Sequence, residues 1–423
     1  MKFIHAADLH LGYRQYGLGK RFLDFGDSFR HIADFAVERD VDFLLISGDI
    51  FDDRDINAAT FTQSHQILEK LRKAGIKVFA IEGNHDTTYY NENMSWIDAL
   101  DSQGLIDVLK LRSNERVEYL GDFREFEVNG DLVRVFGVKY LGIRTPEIVP
   151  RLIDDIETIN EDKGEPDFCI LMMHFGLENQ IDLEVGEGYS YGKIAPLDDY
   201  IDYLALGHYH VAYEIENWVF NPGSPETTRL NEVNKRSGFF YFDRGEIDLI
   251  EYEGRSFEVL ELDMVEFPSP EDVLKEIEEF KEKIKDKSYK KNPVVNLVFR
   301  GKIRFDRDKL DLSNIRDSLS EHAVYINTKF DVEEEEMSFR DIEKDDKSKI
   351  EEDVISNYIG EKRSSLSDSS LKIAREIIRY KELIKDEQDP DKIKEEIREL
   401  HRLVKEDEDG EKRSTWNWKD AYS

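Results

Sequence analysis

Residues 2–10 read KFIHAADLH, an apolar run that closes on an Asp and a His one residue apart. The same layout recurs in DFLLISGD (42–49) and IKVFAIEGNHD (76–86). Each apolar run is continuous rather than alternating, the pattern of a strand covered on both faces. Between the runs, 27–39 and 57–73 have helical spacing. In the second, Ile67, Leu68 and Leu71 form an apolar stripe, and Gly75 follows as a stop signal. The order β-α-β-α-β predicts parallel strands joined by right-handed crossovers. In such a sheet the carboxyl ends of the strands share one crevice, and the polar residues of these runs fall at those ends.

Past residue 87 the pattern changes. FREFEVNGDLVRVFGV (123–138) alternates around Asn129-Gly130, a hairpin signal. DFCILMMHF (167–175) and DYLALGHYH (202–210) are again buried strands with polar ends, and WVFNPGS, GFFYFD and EIDLIEYE add more strands. A mixed α/β sandwich over 1–255 is expected. A smaller β-α-β-α-β unit is expected over 256–335. Its first helix has Ser269 as N-cap and Pro270 at the first helical position, with Val273, Ile277, Phe280 and Ile284 on one face. The remainder, 336–423, reads as a charged helical tail. Its stripes are Ile350/Val354/Tyr358, Ile377/Tyr380/Ile384 and Ile393/Ile397/Leu400/Val404, which need a surface to dock on.

Composition bounds the function. A chain of 423 residues is too long for one ordinary core. One cysteine, Cys169, excludes a disulfide framework within the chain and suits a reducing interior. MKFIHAADLH turns polar too early for a signal peptide, and no apolar run approaches the roughly 20 residues of a membrane span. A cytoplasmic protein is expected. The formal net charge is −34, from 93 acidic and 59 basic residues. Such acidity weakens the case for a nucleic-acid partner. It also fits a surface adapted to molar salt, where the Debye length falls to about 3 Å and self-repulsion is screened.

Five strand ends carry metal-ligand residue types: Asp8-Leu9-His10, Gly48-Asp49, Gly83-Asn84-His85-Asp86, Met173-His174 and Gly207-His208-Tyr209-His210. Five of the chain's ten histidines lie in them. Singly, each has a bland alternative: Asp49 as a helix cap, Asn84 as a turn residue, His174 as a core histidine. Together they mix carboxylate, imidazole and amide oxygen without thiolate, a set that favours Mn, Fe or Zn. The set is too large for one ion. Two ions sharing a carboxylate would sit roughly 3.5–4 Å apart, the arrangement used in phosphoester cleavage. Glycines 48, 83 and 207 are expected to let the backbone turn sharply there. His5 and His65 read as structural. RQYGLGKR (14–21) is not an ATP-binding loop, since Arg14 stands where Gly is needed and Arg21 where Ser or Thr is needed.

D-x-H, GD, GNHD, H and GHxH together resemble the calcineurin-like metallophosphoesterases. ADLHLGYRQYG, LLISGDIFD, IEGNHD, LGHYH and NPGSPE resemble the archaeal form of the Mre-eleven double-strand-break repair nucleases, with bacterial SbcD as a cousin. The resemblance implies an αββα sandwich over 1–255, a small α+β capping domain over 256–335 that binds DNA, and a helical tail. It implies two Mn²⁺ ions, one held by Asp8, His10, Asp49 and His210, the other by Asn84, His174 and His208 with Asp49 bridging. His85 matches the catalytic histidine. The implied activity is single-strand endonuclease and double-strand 3′–5′ exonuclease at DNA ends. The implied partners are a second copy of the chain and a coiled-coil ABC ATPase of the Rad-fifty type, docking on helices within 345–405. The implied setting is the nucleoid, here in a high-salt cell. Dimer contacts fall to Phe61, Leu68, Trp96 and Ile97, each with core packing as the alternative. Asp52 departs from the family, which often carries a His there that guides the substrate strand. Tyr13 and Arg14 are candidate DNA contacts at the rim. Trp416 and Trp418 stay open between an anchor and a DNA-binding tail. The rival functions are a small-molecule phosphodiesterase on the same fold and a binding module that has lost its chemistry.

Overall fold

A computed structural model describes residues 1–88, 94–110, 122–180, 188–334, 351–352, 354–356, 358–359 and 370–386. The chain divides into two compact units, Met1–Glu334 and Glu335–Ser423. Among the described residues, no helix is long and apolar enough to cross a membrane.

The first unit opens with β1 (Lys2–Ala6), α1 (Gly19–Arg39), β2 (Phe43–Ile46), α2 (Ala58–Lys73), β3 (Lys77–Ala80), α3 (Trp96–Ser102) and β4 (Asp107–Val108). β1 through β4 lie side by side and parallel. α1 starts eight residues before the expected 27. Gly26 is no break there: it sits inside the helix because the Gln63 side chain lies where its Cβ would be. The hairpin of β5 (Asp122–Val128) and β6 (Asp131–Gly137) turns on Asn129 and Gly130, both at positive φ. Then follow α4 (Val149–Lys163), β7 (Phe168–His174), β8 (Tyr203–Gly207), β9 (Tyr213–Ile215) and β10 (Val219–Asn221). These strands make a second sheet in the order β5-β6-β7-β8-β10-β9. The chain returns through β11 (Gly238–Asp243) and β12 (Glu246–Glu251), which join the open side of β1 antiparallel.

Strand alternation sorts side chains into layers. Phe3, Phe43, Leu45 and Phe79 from the first sheet meet Val135, Ile170, Met172 and Tyr203 from the second in one buried core. Ile4, Leu44 and Ile46 face the other way, onto Phe29, Ile32, Ile67 and Leu68 of α1 and α2. Leu171 and Met173 pack on Leu152 and Ile156 of α4. The result is helix, sheet, sheet, helix: an αββα sandwich. Leu68 and Ile97 are wholly inside the first of these outer cores, so they are packing residues and not dimer contacts. His5 is buried between Tyr203 Oη (3.1 Å) and the Leu206 carbonyl (3.0 Å), and burial pushes its imidazole down to about 3.

A third, all-parallel sheet follows, with β13 (Phe257–Asp263), β14 (Val294–Ile303) and β15 (Tyr325–Glu334) backed by α5 (Pro270–Asp286) and α6 (Leu312–Leu319). Ser269 caps α5, accepting from Asp272 N, and Val273, Ile277, Phe280 and Ile284 are buried. A buried ionic cluster joins this part to the sandwich. Asp24 of α1 accepts from Arg21 (2.9 Å), twice from Arg255 (2.6 and 3.0 Å) and from Lys291 (2.9 Å). Arg21 also donates to Glu226 (2.9 Å) and lies between the rings of Phe25 and Phe257. Tyr16 stacks on Tyr325 at 4.5 Å.

In the second unit, two helical stretches are tied by Arg375–Glu352 and Lys381–Glu351 ion pairs. Val354 and Tyr358 are both 62% exposed. In the helix Ser370–Asp386 the buried residues are Ile373, Ala374 and Ile378, while Ile377 is half-buried. Ile350, the Tyr380 and Ile384 side chains, the 393–404 stripe, Trp416 and Trp418 lie outside the described residues.

Candidate metal centre

All five ligand-bearing segments meet at one edge of the sandwich, where the carboxyl ends of β1, β2 and β3 face those of β7 and β8. The β1 and β2 pairing runs past the strand ends through Asp8 N to Gly48 O (3.1 Å), His10 N to Asp49 O (3.1 Å) and Leu11 N to Ile50 O (2.9 Å). Asp86 clamps the third loop to the second. Its carboxylate accepts from the Ile50, Phe51 and Gly83 amides at 3.1–3.2 Å. Burial and the nearby Asp49 push the Asp86 carboxyl up to about 7.

Asp8, His10, Asp49 and His208 all have positive φ, 44° to 93°, a region that costs a non-glycine residue energy. Strain is thus carried by the residues of metal-ligand type themselves, which local sequence does not reveal. Of the three glycines expected to turn here, Gly48 does so, at φ +90°. Gly83 and Gly207 do not have positive φ; a Cβ on either would strike Asp49 or the Ser47 carbonyl. Gly83 is needed where two neighbouring strand ends of the first sheet come close, and Gly207 where the two sheets do, rather than for a turn.

The ring nitrogens show what the site is built to hold. His174 Nδ1 donates to the Ser47 carbonyl at 2.7 Å. Its Nε2 then faces two acceptors, Asn84 Oδ1 (3.1 Å) and Asp49 Oδ2 (3.3 Å), and meets them with a proton or, in its place, a cation. Asn84 Oδ1 also lies 2.9 Å from His208 Nδ1. On the other side, His210 Nδ1 lies 2.8 Å from the Glu232 carboxylate and 2.7 Å from Thr228 Oγ1, so Nδ1 carries the proton. Its Nε2 is 3.1 Å from His10 Nε2, beside the wholly buried Asp8. Imidazole nitrogens thus converge on one another, on an amide oxygen and on carboxylates. A proton or a cation resolves such a contact, and this donor set of imidazole, carboxylate and amide oxygen fits a divalent metal.

The charges agree. Burial works to raise the Asp49 carboxyl, yet the charge and hydrogen bond of His174, with His10 and His85, hold it well below the usual range. Burial would lower His174, but Asp49 and Asp8 lift it to about 9. Burial pushes Asp8 up and His208 down to about 3. Thus the structure brings together Asp8, His10, Asp49, Asn84, His174, His208 and His210.

His85 follows Asn84 yet turns elsewhere. Its amide donates to Asp49 Oδ1 (2.8 Å), and its Nδ1 donates to the Asp52 carbonyl (2.6 Å). A crevice of about 110 Å³ opens beside it, lined also by Arg229, Asn231 and Lys235. Arg229 and Lys235 escaped the sequence reading, as did Thr228 and Glu232, which lie on an irregular loop far along the chain. Tyr140, near the rings of His208 (5.8 Å) and His174 (6.0 Å), was missed too. Arg14 is exposed, with its guanidinium 4.9 Å from the Phe22 ring centre; Tyr13 packs edge-on against Phe25.

Residues 1–212 match the family described as calcineurin-like phosphoesterase, half of the chain, and the chain belongs to that family. Membership carries divalent-metal phosphoester chemistry with it. Its relatives are archaeal proteins described as DNA double-strand break repair protein Mre11. One from Archaeoglobus fulgidus is 32% identical over 56% of this chain and 52% of its own length. One from Methanococcus maripaludis is 28% identical over 61% and 68%. One from Sulfolobus acidocaldarius is 25% identical over 95% and 98%. The chain thus spans about half the length of the first of these relatives.

Proposed function

We propose that this chain is a Mn²⁺-dependent DNA nuclease that processes ends in double-strand break repair, cutting single strands internally and degrading duplex ends 3′ to 5′. One observation supports this most: seven side chains of metal-ligand type converge while His85, tied at Nδ1 to the Asp52 carbonyl, keeps Nε2 for the crevice. Asp8, His10, Asp49 and His210 would hold one ion, and Asn84, His174 and His208, with Asp49 shared, would hold a second. Metal there supplies positive charge to a phosphate and makes water acidic enough to attack at neutral pH. Glu232 orients His210, Ser47 orients His174, and His85 neutralises or protonates the phosphate oxygens that gain charge. Arg229 and Lys235 draw the phosphate in, with Arg14 and Tyr13 at the rim. Local positive charge thus offsets the global −34.

A single-stranded oligonucleotide with Mn²⁺ tests the reading, wild type against His85→Ala, with a cyclic nucleotide in parallel. DNA cleavage should fall by about 10²–10⁴-fold in the variant. Unchanged cleavage would remove His85 from the chemistry, and turnover of the cyclic nucleotide alone would favour the small-molecule reading.

The wider setting belongs to the same proposal: a coiled-coil ABC ATPase docking within 345–405, a homodimer, and the nucleoid of a high-salt cell. Trp96 is 39% exposed and packs on Phe61, which keeps these two as dimer contacts. A monomer mass by light scattering at high concentration and working salt would reject the dimer. Equal stability in dilute and molar KCl would reject salt adaptation.

A further inference from the structure

Asp52 stands between two of the site's histidines. His10 and His85 pack edge to face, with ring centres 5.0 Å apart. The Asp52 carbonyl accepts from His85 Nδ1 at 2.6 Å. The Asp52 carboxylate lies 3.3 Å from His10 Nδ1, and Nδ1 is buried without a closed hydrogen bond. The three groups lie within one cluster of metal-ligand type.

The backbone that presents Asp52 is fixed. Its amide donates to the Leu11 carbonyl at 3.1 Å, continuing the β1–β2 ladder, and the two amides before it are held by Asp86. A carbonyl held in this way selects the Nδ1–H form of His85 and leaves Nε2 as the reactive edge. His10 poses the same question. Its Nε2 points at His210 Nε2, which in the neutral ring carries the lone pair because the His210 proton sits on Nδ1 and is donated to Glu232. For His10 also to present a lone pair, its proton must sit on Nδ1, where the Asp52 carboxylate is in reach.

We propose that Asp52 is a positioning residue for both imidazoles, its carboxylate holding the Nδ1 proton of His10 and its main-chain carbonyl that of His85. The two facing histidines, His10 and His210, are then each backed by a carboxylate, Asp52 and Glu232. Such outer carboxylates fix the tautomer and raise ligand basicity. This gives the acid at 52 a role toward the metal and not toward the DNA strand. The inference rests on the proposal that His10 is a ligand.

Mn²⁺ affinity of the full chain, read from the free Mn²⁺ signal in electron paramagnetic resonance, separates the two. His10→Asn should abolish binding at one site; if it does not, the ligand reading itself fails. Asp52→Ala should weaken binding about tenfold, and Asp52→Asn, which keeps an acceptor without charge, by less. Loss of Mn²⁺ affinity under about twofold in Asp52→Ala, with His10→Asn defective, overturns the Asp52 role alone. A second readout is the long-range ¹H–¹⁵N spectrum of the ring nitrogens in metal-free protein. Asp52→Ala should shift the His10 pattern away from Nδ1–H and leave that of His85 in place, since the carbonyl survives the substitution. An unchanged His10 pattern also overturns it.

Discussion

Two clusters of buried charge lie in the first unit, built on opposite rules. Around Asp24, cations match anions: Arg21, Arg255 and Lys291 surround one carboxylate, and Glu226 takes a further bond from Arg21. Burial works to raise Asp24, but these partners hold its carboxyl below the usual range. Within this cluster only Glu226 Oε2 lacks a partner, and burial pushes that carboxyl up. At the metal centre, carboxylates, imidazoles and an amide oxygen crowd together, and Asp8 is pushed up because nothing offsets its burial fully. The first cluster is satisfied by the chain itself and serves structure. The second is left incomplete by the chain and serves chemistry.

The sharpest way to break this comparison is stability. Asp24→Ala leaves Arg21 buried without its main partner and should cost about 3–5 kcal/mol in denaturant unfolding. Asp8→Asn should not lower the metal-free melting temperature, because it removes an unfavourable buried charge and keeps an acceptor for the His208 amide. A clear loss in Asp8→Asn would erase the distinction.

Metal reverses the order. Mn²⁺ at a hundred times its dissociation constant should stabilise the wild type by about 2.7 kcal/mol, read as a rise in melting temperature. Asp8→Asn should lose most of that gain and Asp24→Asn should keep it. Glu232→Gln should weaken Mn²⁺ affinity about 10–100-fold, measured by titration, with little effect on metal-free stability.

The smallest effect is the acid limb. The folded-state value of Asp24 lies below its unfolded value, so its contribution is complete above about pH 3.9 and is lost as pH falls through the folded value. Unfolding followed from pH 5 downward should therefore show a shallower fall in Asp24→Asn than in the wild type.

The sandwich was legible because its strands are continuous apolar runs whose period is local, and the ligands because each sits at such a run's end. Gly26 shows a limit. Inside α1 it looks like a stop, and a side chain from α2, Gln63, is what makes it a packing site. Leu68 and Ile97 show another: a helix stripe says that a face is buried, not whether core or partner buries it.

The amino-acid sequence alone determined the strand and helix order, the hairpin at Asn129-Gly130, the cap at Ser269 and the seven ligand types, since each depends on residues a few positions apart. Tertiary structure alone decided the tautomers, the strained φ at Asp8, His10, Asp49 and His208, and the partners at long range: Glu232 on His210, Asp52 on His10, and Arg255 and Lys291 on Asp24, 231 and 267 residues away. Hydrogen-bond direction and charge balance depend on which groups end up within about 3 Å, and no local period encodes that.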